Sequence, residues 1–359
     1  MKYMIDKQNG KAYLQIYEQI KNDIVNNIYS YHTKLPSKRL LAEELDVSVI
    51  TIEHAYSLLC EEGYIDSRER SGYFVCYNPD STFVAPSKAS TTLPAHTHTV
   101  EHSGDFPFSV YAKTVRRVLS DYGEDIFGCC EESGSVELKT AIRDYLKRSR
   151  GIDVTTKQIV IGAGSEYLYG LIVQMLGKNR IYALEYPSYP KIAKVYRANG
   201  VKTQYLPLME DGISSDDLNK TPATVLHITP YRSFPSRVSA TASKKREYIR
   251  WAEHDNRIIV EDDYESEFTL LKKAEETVFS LSDGNNVIYV NTFSKTMSPT
   301  IRIAYMIIPE NMIPLYQNTV GFYNCSVPLF NQLILAEFIQ SGNFERHINR
   351  VRRKARRNQ

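Results

Sequence analysis

The sequence lacks any apolar stretch close to the roughly 18 residues needed to cross a membrane; the run Leu333–Ala336 meets Glu337 at once. Its N-terminus, MKYMIDKQNGK, has no apolar core of the kind a secretory signal requires. A soluble, cytoplasmic protein with no membrane contact is expected. Cysteine is scarce: Cys60, Cys76, Cys129, Cys130 and Cys325 are odd in number and have neither disulfide-framework nor zinc spacing. Reduced thiols are therefore expected, and no metal site. Bulk positive charge is missing too. The net charge is +2, yet segment 346–359 alone holds seven Lys or Arg and no acid, which leaves the rest of the chain acidic. The first 76 residues carry nine basic and eleven acidic side chains. Any nucleic-acid contact there must come from local placement of cations.

What is present is ordinary globular material. Of 359 residues, 42% are hydrophobic and 24% charged, enough for two or three domains at about 150 residues each. Composition shifts once. Residues 77–107 are rich in Pro, Ser, Thr and His without sustained apolar periodicity, as expected of a linker. His96, His98 and His102 within it read as solvated rather than metal-ligating, since no Cys or carboxylate cluster accompanies them. The expected division is 1–76, a linker over 77–107, and a large unit over 108–359.

In the small unit, Tyr13, Ile16, Tyr17, Ile20, Ile24 and Ile28 recur at helical spacing and predict a first helix. Ser37 is placed to cap a second helix carrying Leu40, Leu41 and Leu45. Ser48 is placed to cap a third with Ile52, Ala55, Tyr56 and Leu59 inward. The connection through Asp46 is short, as in a helix-turn-helix. Gly63 ends the third helix, and the segments around Ile65 and Tyr73–Val75 predict a hairpin wing whose tip carries Arg68 and Arg70. Pattern alone leaves two readings open, a DNA reader or a helical adaptor with solvated charges. The wording then resembles the GntR-family DNA-binding domain through Leu35-Pro36-Ser37, Arg39, Leu41-Ala42, Val47-Ser48, Thr51, Ala55-Tyr56, Leu59, Glu62-Gly63 and the Gly72 wing. That resemblance implies a recognition helix in the major groove. It points to Lys38, Arg39, Ser48, Thr51, His54, Arg68 and Arg70 as DNA-contacting residues. One departure is Val49, where the family usually has Arg.

In the large unit, helical patterns alternate with short β-branched runs, as in an α/β protein. Five runs end in polar or Gly-rich motifs: Gly162-Ala163-Gly164-Ser165, Glu185–Tyr189, Thr229-Pro230, Glu261–Tyr264 and Asn291–Lys295. Strand exits of one parallel sheet would bring them to a common edge, where ligands of open α/β sheets sit. Glycines before the helical run Ser165–Leu176 suit a phosphate. Tyr189 can stack on a flat ring, Asp262 can face a ring nitrogen, Tyr264 a phenolic oxygen, Lys295 an aldehyde and Arg302 a phosphate. Together these describe pyridoxal 5′-phosphate (PLP).

From about residue 104 the chain resembles class I/II (fold type I) aminotransferases. With the GntR-like unit and linker it resembles the MocR (GabR-type) regulators. The resemblance implies a mainly parallel α/β body with Lys295 as Schiff-base lysine. It implies PLP contacts from Gly164, Ser165, Tyr189, Asp262, Tyr264, Thr292, Ser294 and Arg302. It further implies a homodimer bound to a double-stranded DNA operator, with an amino acid or PLP as effector. The alternative is a PLP-dependent aminotransferase with an appended winged-helix module; a third reading is a truncated product whose winged helix alone is competent. Three departures stand out: Arg237 replaces a usual Gly, Ala304 replaces another, and the chain stops at Gln359 where the family continues into a smaller C-terminal domain.

Overall fold

The structure, a computed structural model, describes residues 3–6, 10–78, 106–254, 256–269, 275–282 and 284–357. Most of the expected linker, including His96, His98 and His102, lies outside the described residues. The chain divides into two compact units, Met1–Thr99 and Val100–Gln359. No helix among the described residues is long and apolar enough to cross a membrane, and among them no cluster of His, Cys or carboxylates could hold a metal.

The first unit contains α1 (Ala12–Val25), α2 (Lys38–Glu44), α3 (Val49–Glu61) and an antiparallel hairpin of β1 (Ile65–Arg68) and β2 (Gly72–Val75). Both expected caps form. Ser37 Oγ accepts from the Leu40 N–H and Ser48 Oγ from the Thr51 N–H, each at 3.2 Å, interactions worth about 1 kcal/mol apiece. The turn between α2 and α3 closes because Asp46 adopts φ 52°, a left-handed conformation that short polar residues tolerate. Ile16, Ile20, Leu41, Ile52, Tyr56 and Leu59 form the core. Two expected core positions do not join it. Helix α1 ends at Val25 and Asn27 turns left-handed, leaving Ile28 exposed, while Leu40 points outward one position ahead of the buried pair Leu41 and Ala42.

The second unit is a sheet between helical layers. In chain order it runs α4 (Phe108–Tyr122), α5 (Val136–Arg150), β3 (Ile159–Gly162), α6 (Ser165–Leu176), β4 (Ile181–Tyr186), α7 (Pro190–Ala198), β5 (Lys202–Met209) and β6 (Gly212–Ile213). It continues with α8 (Ser215–Lys220), β7 (Val225–Ile228), α9 (Ala242–Ala252), β8 (Ile258–Asp262), α10 (Val278–Leu281), β9 (Val287–Thr292) and α11 (Phe293–Thr296). Last come β10 (Ala304–Ile307), α12 (Ile313–Thr319), α13 (Leu329–Gln340) and α14 (Asn343–Arg357). The strand order is β3-β10-β9-β8-β7-β4-β5-β6. Strands β5, β4, β7, β8 and β9 are mutually parallel, and β10 runs antiparallel between β9 and β3.

Strand side chains alternate between two cores. Ile161, Ala183, Ile259 and Tyr289 pack on one face with α5, α9 and α13. Val160, Leu184, Val260 and Ile288 pack on the other with α6, α7 and α12. Burial on both faces is what a crossover-connected parallel sheet requires. Register fixes the common edge: Ala304 lies opposite both Gly162 and Thr292, Asp262 opposite Val290, Glu261 opposite Ile228, and His227 opposite Leu184. The five motif-bearing strands thus end on the same side.

The loop after β7 is tied to this edge by Glu185. Its buried carboxylate accepts from the Thr229 N–H at 3.1 Å and the Ser233 hydroxyl at 2.7 Å. Farther along, Arg237 adopts φ 63°. The position that reads as a usual glycine therefore does need left-handed backbone, and a side chain there is strained by about 1–2 kcal/mol. Arg237→Gly is expected to stabilise the large unit by about 0.5–1 kcal/mol net of unfolded-chain entropy, raising its melting temperature by about 1–4 °C in calorimetry.

Burial pushes the Glu185 carboxyl up to about 7 against the pull of its two hydrogen bonds, with the Asp262 charge adding to the rise. Between the unfolded value of about 4.3 and that figure, the folded state keeps a proton that the unfolded chain has released, so stability falls as pH rises. Measured by urea unfolding against Glu185→Gln, the wild type should lose about 2–3 kcal/mol between about pH 5 and about pH 8.

Candidate functional sites

At the tip of β8 the Asp262 side chain is buried. Its Oδ2 accepts from the Tyr169 hydroxyl of α6 at 2.5 Å and lies 3.8 Å from His227 Nε2. The opposite nitrogen of that imidazole is 2.8 Å from the Tyr196 hydroxyl. Among the described residues Asp262 Oδ1 has no hydrogen-bond partner, and neither has His227 Nε2. An unpartnered carboxylate oxygen held out of water costs about 1–3 kcal/mol or more. Burial and the neighbouring carboxylate hold the Tyr169 phenol well above its usual range, so it remains a donor.

At the end of β3, Gly164 caps α6 with φ 95°, and a Cβ there would come within 2.6 Å of Arg302 Nη2. Glycine thus lets the loop and the guanidinium approach closely at a helix N-terminus, where amides and macrodipole favour anions. Ser165 is the first residue of that helix. Arg302 is paired with Glu166 at 2.7 Å, and Lys191 pairs with the same carboxylate at 3.0 Å. These two cations, Lys191 first, pull the Glu166 carboxyl below its usual value. A cavity of about 950 Å³ adjoins the loop, lined by Ala163, Arg302, Ser326, Tyr111, Met297 and Leu335 among others. Lys295, Asp262 and Tyr264 are not among its lining residues.

Thr292 ends β9 and caps α11, accepting from the Ser294 N–H at 3.2 Å. The Ser294 hydroxyl donates to the Ile301 carbonyl at 2.8 Å. Lys295, in the short α11, is exposed and has no hydrogen-bond or ion-pair partner among the described residues. The half-buried Tyr264 donates to the Arg232 carbonyl at 3.2 Å. Burial first, then the Glu265 and Asp262 charges, push its phenol up to about 12. Tyr189 is exposed and sets its ring edge-on to Phe234 of the loop after β7, centroids 6.1 Å apart. Tyr169, His227 and Glu166 were not anticipated from sequence. Position is the one signal the sequence offers for two of them, since Glu166 lies in the first turn of the helix after the glycines and His227 stands two residues before Thr229.

In the small unit, Arg39 and Arg70 are exposed and have no acidic partner among the described residues, Arg70 standing in the hairpin turn with φ 58°. Arg68 lies 4.6 Å over the Phe74 ring. Lys38 is instead engaged with Glu53 of α3 at 2.5 Å, a contact that raises the Lys38 ammonium's pKa. Ser48 and Thr51 hydroxyls bond each other at 2.9 Å within the cap. His54 is exposed, its ring edge-on to Tyr13.

Residues 12–75 match the family model for bacterial regulatory proteins of the gntR family, and residues 102–359 match that for aminotransferase class I and II. The chain is 34% identical over 353 residues to YdeL of Bacillus subtilis, an uncharacterised HTH-type transcriptional regulator, covering 95% of this chain and 76% of that one. It is 29% identical to the probable rhizopine catabolism regulatory protein MocR of Rhizobium meliloti, over 94% of this chain and 74% of that one. Identity to PdxR of Corynebacterium glutamicum, a pyridoxine biosynthesis transcriptional regulator, is 25% over 94% and 75% of the two chains. Among solved structures, the body has the fold of the kynurenine aminotransferase of Pyrococcus horikoshii, with TM-score 0.63 and 22% identity over 71% of this chain and 66% of that one. It has likewise the fold of the α-aminoadipate aminotransferase LysN of Thermus thermophilus, with TM-score 0.60 and 23% identity over 70% and 65%. The chain thus spans about three quarters of those relatives and just under two thirds of those solved chains. With a GntR helix-turn-helix unit preceding an aminotransferase class I and II body, and such relatives along nearly its whole length, the chain belongs to the MocR-type regulator family.

Proposed function

We propose that the chain is a DNA-binding transcription regulator whose body carries PLP and reads an amino acid, or PLP itself, as its signal. The division of labour is a winged helix over 1–76, a linker over 77–107 and an effector-sensing body over 108–359. It acts in the cytoplasm as a homodimer on a double-stranded DNA operator. Relatives named as HTH-type regulators support the DNA-binding half of this reading.

The observation that carries the PLP half is the buried, unpartnered Asp262 Oδ1. A carboxylate oxygen so placed suits the N–H of a protonated aromatic ring. PLP supplies such a ring, which draws electrons, together with an aldehyde that captures primary amines. Lys295, exposed and unpaired, is the amine that anchors it. Gly164, Ser165, Thr292, Ser294 and Arg302 would hold its phosphate, Tyr189 would stack on its ring, and Tyr264 would donate to its phenolic oxygen in place of the Arg232 carbonyl. Tyr169 holds the other oxygen of Asp262 and so keeps Oδ1 aimed at the ring. Signalling requires that the effector bind two states of the body with different affinity.

Wild-type protein titrated with PLP should develop a visible absorbance band that Lys295→Ala lacks; an unchanged band in that variant would remove the cofactor assignment. Arg39→Ala should weaken DNA binding in fluorescence anisotropy and lower the slope of log K against log salt by about 0.9, the value for one phosphate contact on duplex DNA.

A further inference from the structure

Helix α3 opens on an apolar pair that the fold does not use. Ile52, Ala55, Tyr56 and Leu59 face the core, so Val49, Ile50, Glu53 and His54 form the outward face of its first two turns. Val49 is 40% exposed and Ile50 is 62% exposed. β-Branched residues are also mediocre helix formers, so local propensity does not explain them. The same unit carries exposed cations that have no acidic partner among the described residues: Arg39 on α2, and Arg68 and Arg70 on the hairpin. An exposed apolar helix start in a unit with such cations suits a groove bounded by phosphates, in which phosphate contacts fix register while a helix face reads bases.

Val49 and Ile50 side chains have no hydrogen-bonding atom, so they cannot read the donor and acceptor pattern of base edges. The major groove offers one apolar feature, the C5-methyl group of thymine. Glu53, the polar neighbour one turn on from Ile50, is engaged by Lys38 at 2.5 Å, which reduces the acidic character of this face. We propose that Val49 and Ile50 read thymine methyl groups, so that the operator half-site carries thymine where a cation at the helix start would select guanine. This inference rests on the DNA-binding reading above and assigns the base chemistry of that interface.

The test uses the full chain and a duplex enriched by it from a random pool. Thymines of that duplex are replaced singly by deoxyuridine, which removes only the methyl. One or two replacements should weaken binding about three- to fivefold each, the equivalent of about 0.8 kcal/mol per buried methyl-sized group. Ile50→Ala or Val49→Ala should weaken binding to the thymine duplex by a similar factor and be indifferent to the replacement. Both side chains are exposed, so neither substitution opens a core cavity. Equal wild-type affinity for the thymine and deoxyuridine duplexes overturns the inference while DNA binding stands. Uniform loss on both duplexes, with a changed oligomeric state, overturns it in favour of a contact between chains. Failure to enrich any duplex overturns the DNA-binding reading itself.

Discussion

The body is organised around a carboxylate that the fold buries and then satisfies only on one side. Asp262 ends a central strand, flanked by β9 and β7, and its Oδ2 is held by Tyr169 from the helix that follows the glycine loop. Its other oxygen has no hydrogen-bond partner among the described residues. A buried acceptor without a partner is among the costlier features a fold can retain, because dehydration is not offset. The neighbours add to the constraint rather than relieve it. His227 comes no closer than 3.8 Å, and nearby Glu185 is itself a buried acid whose carboxyl rises to about 7. A cationic N–H donor entering at Oδ1 would lower the energy of the whole cluster.

Charge at the glycine loop is arranged with the same economy. Glu166 pairs with both Arg302 and Lys191, so two cations are kept near a helix N-terminus without leaving a bare positive patch. An arriving phosphate competes with a partly exposed carboxylate whose ion pairs are individually weak in water. In the small unit Glu53 stands against Lys38 in a comparable way. The unit as a whole is net acidic in sequence, and its cations without acidic partners among the described residues include Arg39 on α2 and Arg68 and Arg70 on the hairpin, with Lys11 and Lys34 resting over the Tyr13 and Phe74 rings. Affinity built from few phosphate contacts leaves a larger share of recognition to the helix face that meets the bases.

Much of this was legible in the sequence because its causes are local. Ser37 and Ser48 announce helix starts, Gly63 a stop, and each β-branched run ending in a polar motif announces a strand exit; all appear as read. The positive φ at Arg237 was foreseeable from the glycine expected there. What stayed hidden depends on distant partners. Strand β10 is a short buried run with no signal of direction, yet it sits antiparallel between β9 and β3 and places Ala304 opposite both Gly162 and Thr292. Tyr169 is 93 residues from Asp262 and Glu166 is 136 from Arg302. Ile28 and Leu40 fitted an apolar periodicity that the backbone interrupts at Asn27 in one case and rotates outward in the other.

The loop after β7 is tied to the strand edge at several points. Glu185 holds it at Thr229 and Ser233, and Tyr264 holds it at the Arg232 carbonyl. A phenol has one proton to give, and burial with two nearby negative charges keeps that proton on Tyr264 across the physiological range. A ligand oxygen that took the hydrogen bond would take it from Arg232, and the loop would lose one of its anchors while the Arg237–Glu265 ion pair at 3.9 Å remained. Arg232 and Arg237 both sit at positive φ, 51° and 63°, so the segment already carries backbone strain when that anchor is in place. Losing a hydrogen bond worth about 0.5–1.5 kcal/mol from a strained loop shifts its equilibrium without any motion of the sheet. A ligand at the strand edge that took this hydrogen bond would in this way be coupled to the loop through one shared proton.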